Sequence, residues 1–388
     1  MNDSVRGPLA GLRVIEFAGI GPGPFCGLLL ADMGADVLRL DRAQPAELGL
    51  GIDPKYDVLG RGKRSIGLDL KRAEHARLAL ELIDRADAVI EGFRPGVLER
   101  LGLGPEVCLK RNPKLVFGRV TGWGQDGPLA PTAGHDINYI ALTGALHAIG
   151  RKGEAPVPPL ALLGDFAGGA MFLAFGVVCA LLEARRSGKG QVVDAAISDG
   201  AALLMAPFLA RHAAGVWRDE RGVNALDGGT PWYDSYETAD GAYVCIGPIE
   251  QRFYDEMVRR MGLDAAALPA RDDRAAWPRL RGIFAACFKS RTREDWTRVF
   301  EGSDACFAPV LSIAEVPLHP HQKARGVFTH EHGYPEPAPA PRLSRTPGRR
   351  TRTAPRAGEG GASALADWNF SAAEISAFEA GGAILNHQ

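Results

Sequence analysis

The stretch Leu12-Arg13-Val14-Ile15-Glu16-Phe17-Ala18-Gly19-Ile20-Gly21-Pro22-Gly23-Pro24-Phe25-Cys26 decides the fold. Residues 12–17 form a β-like apolar run. Gly19, Gly21 and Gly23 then turn the chain into a helix expected over 24–33, and 36–40 returns as a second strand. Working outward, 65–70 reads as a third strand. Residues 72–85 read as a helix, with Leu78, Leu80, Leu82 and Ile83 at helical spacing. Residues 88–91 and 115–120 give a fourth and a fifth strand. This alternation predicts an α/β fold, with a mostly parallel sheet covered by helices on both faces. The glycine pattern, with Asp41 closing the next strand, also resembles a dinucleotide-binding turn. Against that, Pro24 stands where the third glycine belongs, and Pro22 and Pro24 remove two amide donors. A tight strand-to-helix turn is the simpler reading.

A length of 388 residues suggests two domains, or one large domain with insertions. The charge balance of 45 basic and 46 acidic residues gives no global attraction to nucleic acid or to an anionic membrane. An anionic ligand must therefore be met by local cations. The six cysteines are scattered without a CxxC pair, which points to free thiols in a reducing compartment. Residues 1–11 carry no apolar leader. The longest apolar run, 170–182, is shorter than the ~20 residues that span a bilayer. The expectation is a cytoplasmic protein with no membrane or nucleic-acid partner.

Downstream, 166–186 reads as a strong helix with Arg185 and Arg186 in its last turn and Gly188 as its stop. A strand over 191–198 and a helix over 199–215 follow. From Gly228 the texture becomes that of a smaller α+β unit, with strands near 233–238 and 242–246 and helices near 253–262 and 277–290. Residues 317–347 read as extended linker. A short tail helix over 372–380 is capped by Ser371 and closed by Gly381.

Four groups could carry chemistry. Gly134-His135-Asp136-Ile137-Asn138-Tyr139 puts an imidazole, a carboxylate and an amide just before an apolar helix. Histidine suits proton transfer, with an ordinary pKa of about 6.5. A helix cap and a surface histidine explain the same spacing. Asp165 stands at the expected start of the long helix, either as a cap or as an anion stabilised by free amides. Glu250, in Gly247-Pro248-Ile249-Glu250, ends a strand. Arg39, Arg42, Arg61, Lys63, Arg64, Lys71, Arg94 and Arg100 lie at strand ends and loops, where three or four converging cations would hold phosphates. No HExxH pattern or paired cysteines suggest a metal, and GxSxG and P-loop patterns are absent.

Taken together, Gly11-Leu12-Arg13-Val14-Ile15-Glu16, Leu30-Ala31-Asp32-Met33-Gly34-Ala35-Asp36-Val37, Glu91-Gly92-Phe93-Arg94-Pro95-Gly96, Val120-Thr121-Gly122-Trp123-Gly124, Ser187-Gly188-Lys189-Gly190-Gln191 and Ser303-Asp304-Ala305-Cys306 resemble the family III CoA-transferases. The likeness covers almost the whole chain. The segments Gly134–Tyr139 and Gly247–Glu250 look like its α-methylacyl-CoA racemase branch. This resemblance implies His135 and Asp165 as the two acid/base groups, with Glu250 paired to the histidine. It implies contacts to coenzyme A from Ile20, Arg42, Asp69, Lys71, Gly92, Arg94 and Arg100, and from Gly134, Asp136, Asn138 and Tyr139. Coenzyme A is then part of the substrate, and no cofactor is required. The implied architecture is an interlocked homodimer with a large Rossmann-like domain over 1–196 and 339–388 and a small domain over 232–315. The linkers are 197–231 and 316–338, expected to be extended. The active site would lie between the large domain of one subunit and the small domain of the other. The alternative is a CoA-transferase in which Asp165 is the nucleophile. Residues 43–64 match the racemases poorly, and with only six methionines the acyl chain is left open.

Overall fold

Six parallel strands build the first unit: β1 (Arg13–Phe17), β2 (Asp36–Arg42), β3 (Arg64–Leu68), β4 (Ala88–Glu91), β5 (Val116–Thr121) and β6 (Gln191–Ala196). The computed structural model describes residues 7–42, 52–330, 333–380 and 382. The strand order β3-β2-β1-β4-β5-β6 is that of a doubly wound sheet. Val14 pairs with Val37 on one side and with Ala88 on the other, so β1 is central. The order of strand addition reverses between β1 and β4, and a crevice opens there beyond the carboxyl ends of the parallel strands. This unit comprises residues 1–143, 159–205 and 329–388.

Both faces of the sheet are packed. On one, Ile15, Leu38, Ile66, Val89 and Phe117 meet Leu78, Leu82 and Trp368. On the other, Val14, Val37, Ile90 and Val116 meet Cys26, Leu30, Leu173 and Val177. Pro22 opens the first helix (Pro22–Asp32) two residues earlier than expected, at a position that needs no amide donor. The tail helix Ala372–Ala380 is capped by Ser371, whose Oγ accepts from the Glu374 amide at 3.2 Å. Gly381 lies outside the described residues.

The long helix departs from expectation. It starts at Leu162 rather than at 166, and its first ten residues, Leu162–Met171, form a π-helix that passes into an α-helix over Phe172–Ser187. The 26 residues are long and apolar enough to cross a membrane by composition. Here the helix packs through Leu173, Val177, Ala180, Leu181 and Ala184 into the core beside β5 and β6. Met171, Phe175 and Leu182 stay more than half exposed.

The second unit, residues 144–158 and 206–328, holds an antiparallel sheet of β7 (Asp234–Glu237), β8 (Tyr243–Ile246) and β9 (Phe307–Val310). Helices Gln251–Arg260, Trp277–Phe288 and Arg293–Phe300 cover it around Tyr236, Phe284, Phe288 and Trp296. Residues 144–158, expected in the large domain, cluster here instead. Arg221 donates to the carbonyls of His147 and Glu154, at 2.8 and 2.7 Å, and fixes them. The expected extended linker 197–231 is helical over Ile197–Leu204 and Ala206–Ala213, and the other, 316–338, contains a helix over Pro320–Arg325.

Candidate active site

A cavity of about 300 Å³ opens at the switch between β1 and β4. The turn after β1 supplies Ile20 to its wall, and the turn after β4 supplies Gly92 and Arg94. The segment 134–139 brings Gly134, His135 and Tyr139, and the π-helix brings Asp165. A second cavity, about 840 Å³, adjoins it through the shared residues Ala18, Arg42, Phe93 and Arg94. Its floor is apolar, with Leu40, Leu68, Leu70 and Leu101, and its rim carries Arg42, Asp69, Lys71, Arg94 and Arg100. An apolar slot rimmed by cations suits a ligand that joins a flat or aliphatic body to phosphates.

The eight basic residues singled out in the sequence divide in two. Arg42, Lys71, Arg94 and Arg100 are exposed at the cleft. The other four serve the fold. Arg39 binds Asp41 at 2.7 Å, Arg61 binds Asp32 at 2.6 Å, Lys63 binds Glu16 at 2.6 Å, and Arg64 binds Asp36 and Asp367 at 2.5 and 2.7 Å. Arg61, Lys63 and Arg64 are buried, so they do not supply ligand contacts from this face. Of the weakly matching stretch 43–64, residues 43–51 lie outside the described residues.

His135 precedes the short helix Asp136–Ala141, and its amide donates to Asn138 Oδ1 at 3.0 Å. The histidine is exposed at the cavity, while Asp136 is buried beneath it. Asp136 does more than start a helix: its Oδ2 accepts the Asp165 amide at 2.7 Å. Asp165 is therefore not a helix cap, and its own amide is not free to meet a developing anion. Burial pushes the Asp165 carboxyl up to about 6, the neighbouring Asp136 charge adds to the rise, and His135 opposes it. A carboxyl at about 6 is poised for proton transfer near neutral pH.

Three residues of the site escaped the sequence reading as individuals. Gly21 has φ +69°, and a Cβ there would lie 2.7 Å from Asp165 Oδ2. Gly122 leaves room for the Tyr139 ring, since a Cβ would approach its Cε1 to 1.9 Å. Trp123 packs edge-on against Tyr139 at 4.9 Å, and Tyr139 donates to the Gly134 carbonyl. The signal was available in the Gly19-x-Gly21 and Thr121-Gly122-Trp123 patterns, but not what each glycine makes room for. Gly21→Ala is expected to displace the Asp165 carboxylate and to strain the turn. Any reaction that uses Asp165 should slow by about 10²-fold, and thermal melting should report a loss of about 1–2 kcal/mol.

Glu250 begins the helix Gln251–Arg260 in the second unit and is exposed there. Its side chain makes no capping hydrogen bond to that helix.

The chain is similar to known proteins over most of its length. The family described as CoA-transferase family III matches residues 9–360. The α-methylacyl-CoA racemase of Mus musculus is 44% identical over 369 residues, 95% of either chain. That of Homo sapiens is 43% identical over 371 residues, again 95% of each. The crystal structure of a CaiB/BaiF family protein from Brucella suis superposes with a TM-score of 0.80 at 26% identity, covering 94% of this chain and 100% of that one. By the match of the family model over residues 9–360 and by these identities, the chain belongs to CoA-transferase family III.

Proposed function

We propose that the protein is an α-methylacyl-CoA racemase, interconverting R and S 2-methylacyl-CoA thioesters through an enolate. The observation that carries this reading is the pairing of His135 and Asp165 on one small cavity. Inverting a stereocentre by proton transfer needs a base on one face of the planar enolate and an acid on the other. Asp165, held near 6, can give or take a proton near neutral pH, and the imidazole of His135 on the same cavity supplies the second proton-transfer group. The high identity to racemases over 95% of the chain supports the same conclusion.

Coenzyme A enters as part of the substrate. Its phosphates would meet Arg42, Lys71, Arg94 and Arg100, its adenine the apolar slot, and its thioester the cavity between His135 and Asp165. Asn138 acts through the His135 backbone and Asp136 through Asp165, so neither need touch coenzyme A. Phosphate contacts are equal in ground and transition states. Arg94→Glu and Arg100→Glu should therefore raise KM for the acyl-CoA at least tenfold with kcat changed much less, as steady-state kinetics would show.

The working unit we propose is a homodimer in a reducing, cytoplasmic compartment, with Glu250 of the partner subunit orienting His135. Support comes from the exposed apolar stripe Met171, Phe175, Val178 and Leu182 on the long helix and from six free cysteines. Chiral chromatography after incubating pure R 2-methylacyl-CoA tests the function directly. Formation of the S epimer up to an equilibrium mixture is expected, and an unchanged R substrate would refute it. The competing reading, CoA transfer through an Asp165 anhydride, draws on the family at large and uses the same carboxylate. It leaves His135 without a task.

A further inference from the structure

We infer that Arg271 is a positioning residue for Glu250, acting through the backbone of the turn that carries it. The inference rests on the racemase reading, in which Glu250 orients His135.

The turn Gly247-Pro248-Ile249-Glu250 joins β8 to the helix Gln251–Arg260. At its start the Gly247 amide donates to the Cys306 carbonyl at 2.9 Å. Pro248 has no amide to offer. The next two carbonyls are held by one side chain: Arg271 Nη2 donates to the Pro248 oxygen at 3.1 Å and to the Ile249 oxygen at 2.5 Å. Arg271 Nη1 donates to Gln251 Oε1 at 3.0 Å. The guanidinium thus grips the residues on both sides of Glu250, while the Glu250 carboxylate itself stays free and exposed.

Arg271 is itself fixed. Its guanidinium lies 4.5 Å from the Trp232 ring centroid and 4.7 Å from that of Tyr254. The two rings meet edge to face at 5.9 Å. The Arg271 carbonyl accepts from Trp277 Nε1 at 2.8 Å. A planar cation set against two aromatic rings, with one nitrogen turned onto two carbonyls and the other onto the Gln251 side chain, is a rigid clamp. Three ring-bearing residues and a charged group are a large outlay for an exposed turn. A turn that delivers a carboxylate to within hydrogen-bonding reach of an imidazole needs such rigidity, because a displacement of about 1 Å can cost about 10²-fold in rate.

The test separates positioning from folding. In deuterated water, α-deuterium uptake is measured separately on R and S 2-methylacyl-CoA for wild type, Glu250→Gln, Arg271→Lys and Arg271→Met. Arg271→Lys keeps a cation beside the rings but loses the fork, so it guards against a variant that fails to fold. Each Arg271 variant is expected to lose about 10- to 100-fold in uptake on one epimer, the same epimer that Glu250→Gln affects. The other epimer, served by Asp165, should stay within about twofold, and KM should be little changed. Equal losses on both epimers, or none on either, would overturn the positioning role. Absence of uptake on both epimers in wild type would instead overturn the racemase reading, and the role of Arg271 would fall with it.

Discussion

Asp165→Asn is expected to slow racemisation by about 10²- to 10⁴-fold while making the protein more stable at pH 7. The rate loss follows from removing one of two proton-transfer groups. His135→Ala should lose a comparable factor, and the double variant little more than either single one, because inversion needs both groups at once. The gain in stability follows from the environment of the carboxyl. Its pKa is about 6 in the folded chain, above the ~3.9 of an unfolded one. The folded state therefore holds an extra proton between those values, and stability is lost as pH rises from about 4 to about 6. Above that window the ionised carboxylate, partly buried beside Asp136, costs of the order of 1 kcal/mol once solvent screening is allowed for. Asn cannot ionise, so its advantage should appear at pH 7 and vanish near pH 4. Thermal melts of the two proteins across pH check this, and equal melting temperatures at pH 7 would contradict it.

Lys63→Met is expected to destabilise the first unit by about 3–5 kcal/mol, with the cost falling on the ion it leaves behind. Lys63 and Glu16 are fully buried and 2.6 Å apart. Lys63 also donates to the Pro24 carbonyl at 2.8 Å, tying β1 to the first turn of the helix that follows it. No side chain could stand at position 27, because a Cβ there would fall 1.7 Å from Glu16 Oε2. With Lys63 gone, Glu16 must stay charged without a partner or take up a proton. The double change Glu16→Gln with Lys63→Met should therefore recover more than half of the loss, and denaturant unfolding of the single and double variants measures it. Additive losses would show that the pair is not coupled.

Much of the sheet was legible because buried parallel strands are short apolar runs between punctuated helices. The stretch 12–42 alone contains β1, its glycine turn, the first helix and β2. The start of the long helix was not legible. Its π-helical turns carry an apolar composition that any helix would share, and the wider spacing of Leu162–Met171 leaves no periodic mark in so short a segment. Helices of one turn, such as Val97–Arg100, fall below what periodicity can reveal. Within the site, residue types were readable and partners were not. Asp136 reads as a helix cap, yet its carboxylate reaches across 29 residues to the Asp165 amide. Nothing in the run of arginines and lysines separates Arg94, which faces the cleft, from Arg61, which is locked to Asp32. That division depends on which strand end lies beside which acid, a property of the assembled sheet. Glu250 carried no local signal beyond its strand end and entered through the family likeness.

Deuterium incorporation at the α-carbon of separate R and S 2-methylacyl-CoA substrates, by wild-type protein in deuterated water and without any acyl acceptor, separates racemisation from CoA transfer most directly. A racemase incorporates deuterium into both epimers with loss of configuration and leaves no trappable acyl group on the enzyme. No incorporation into either epimer, together with a hydroxylamine-trapped acyl adduct at Asp165 when acyl-CoA is present, would contradict the racemase reading and make Asp165 a nucleophile in CoA transfer.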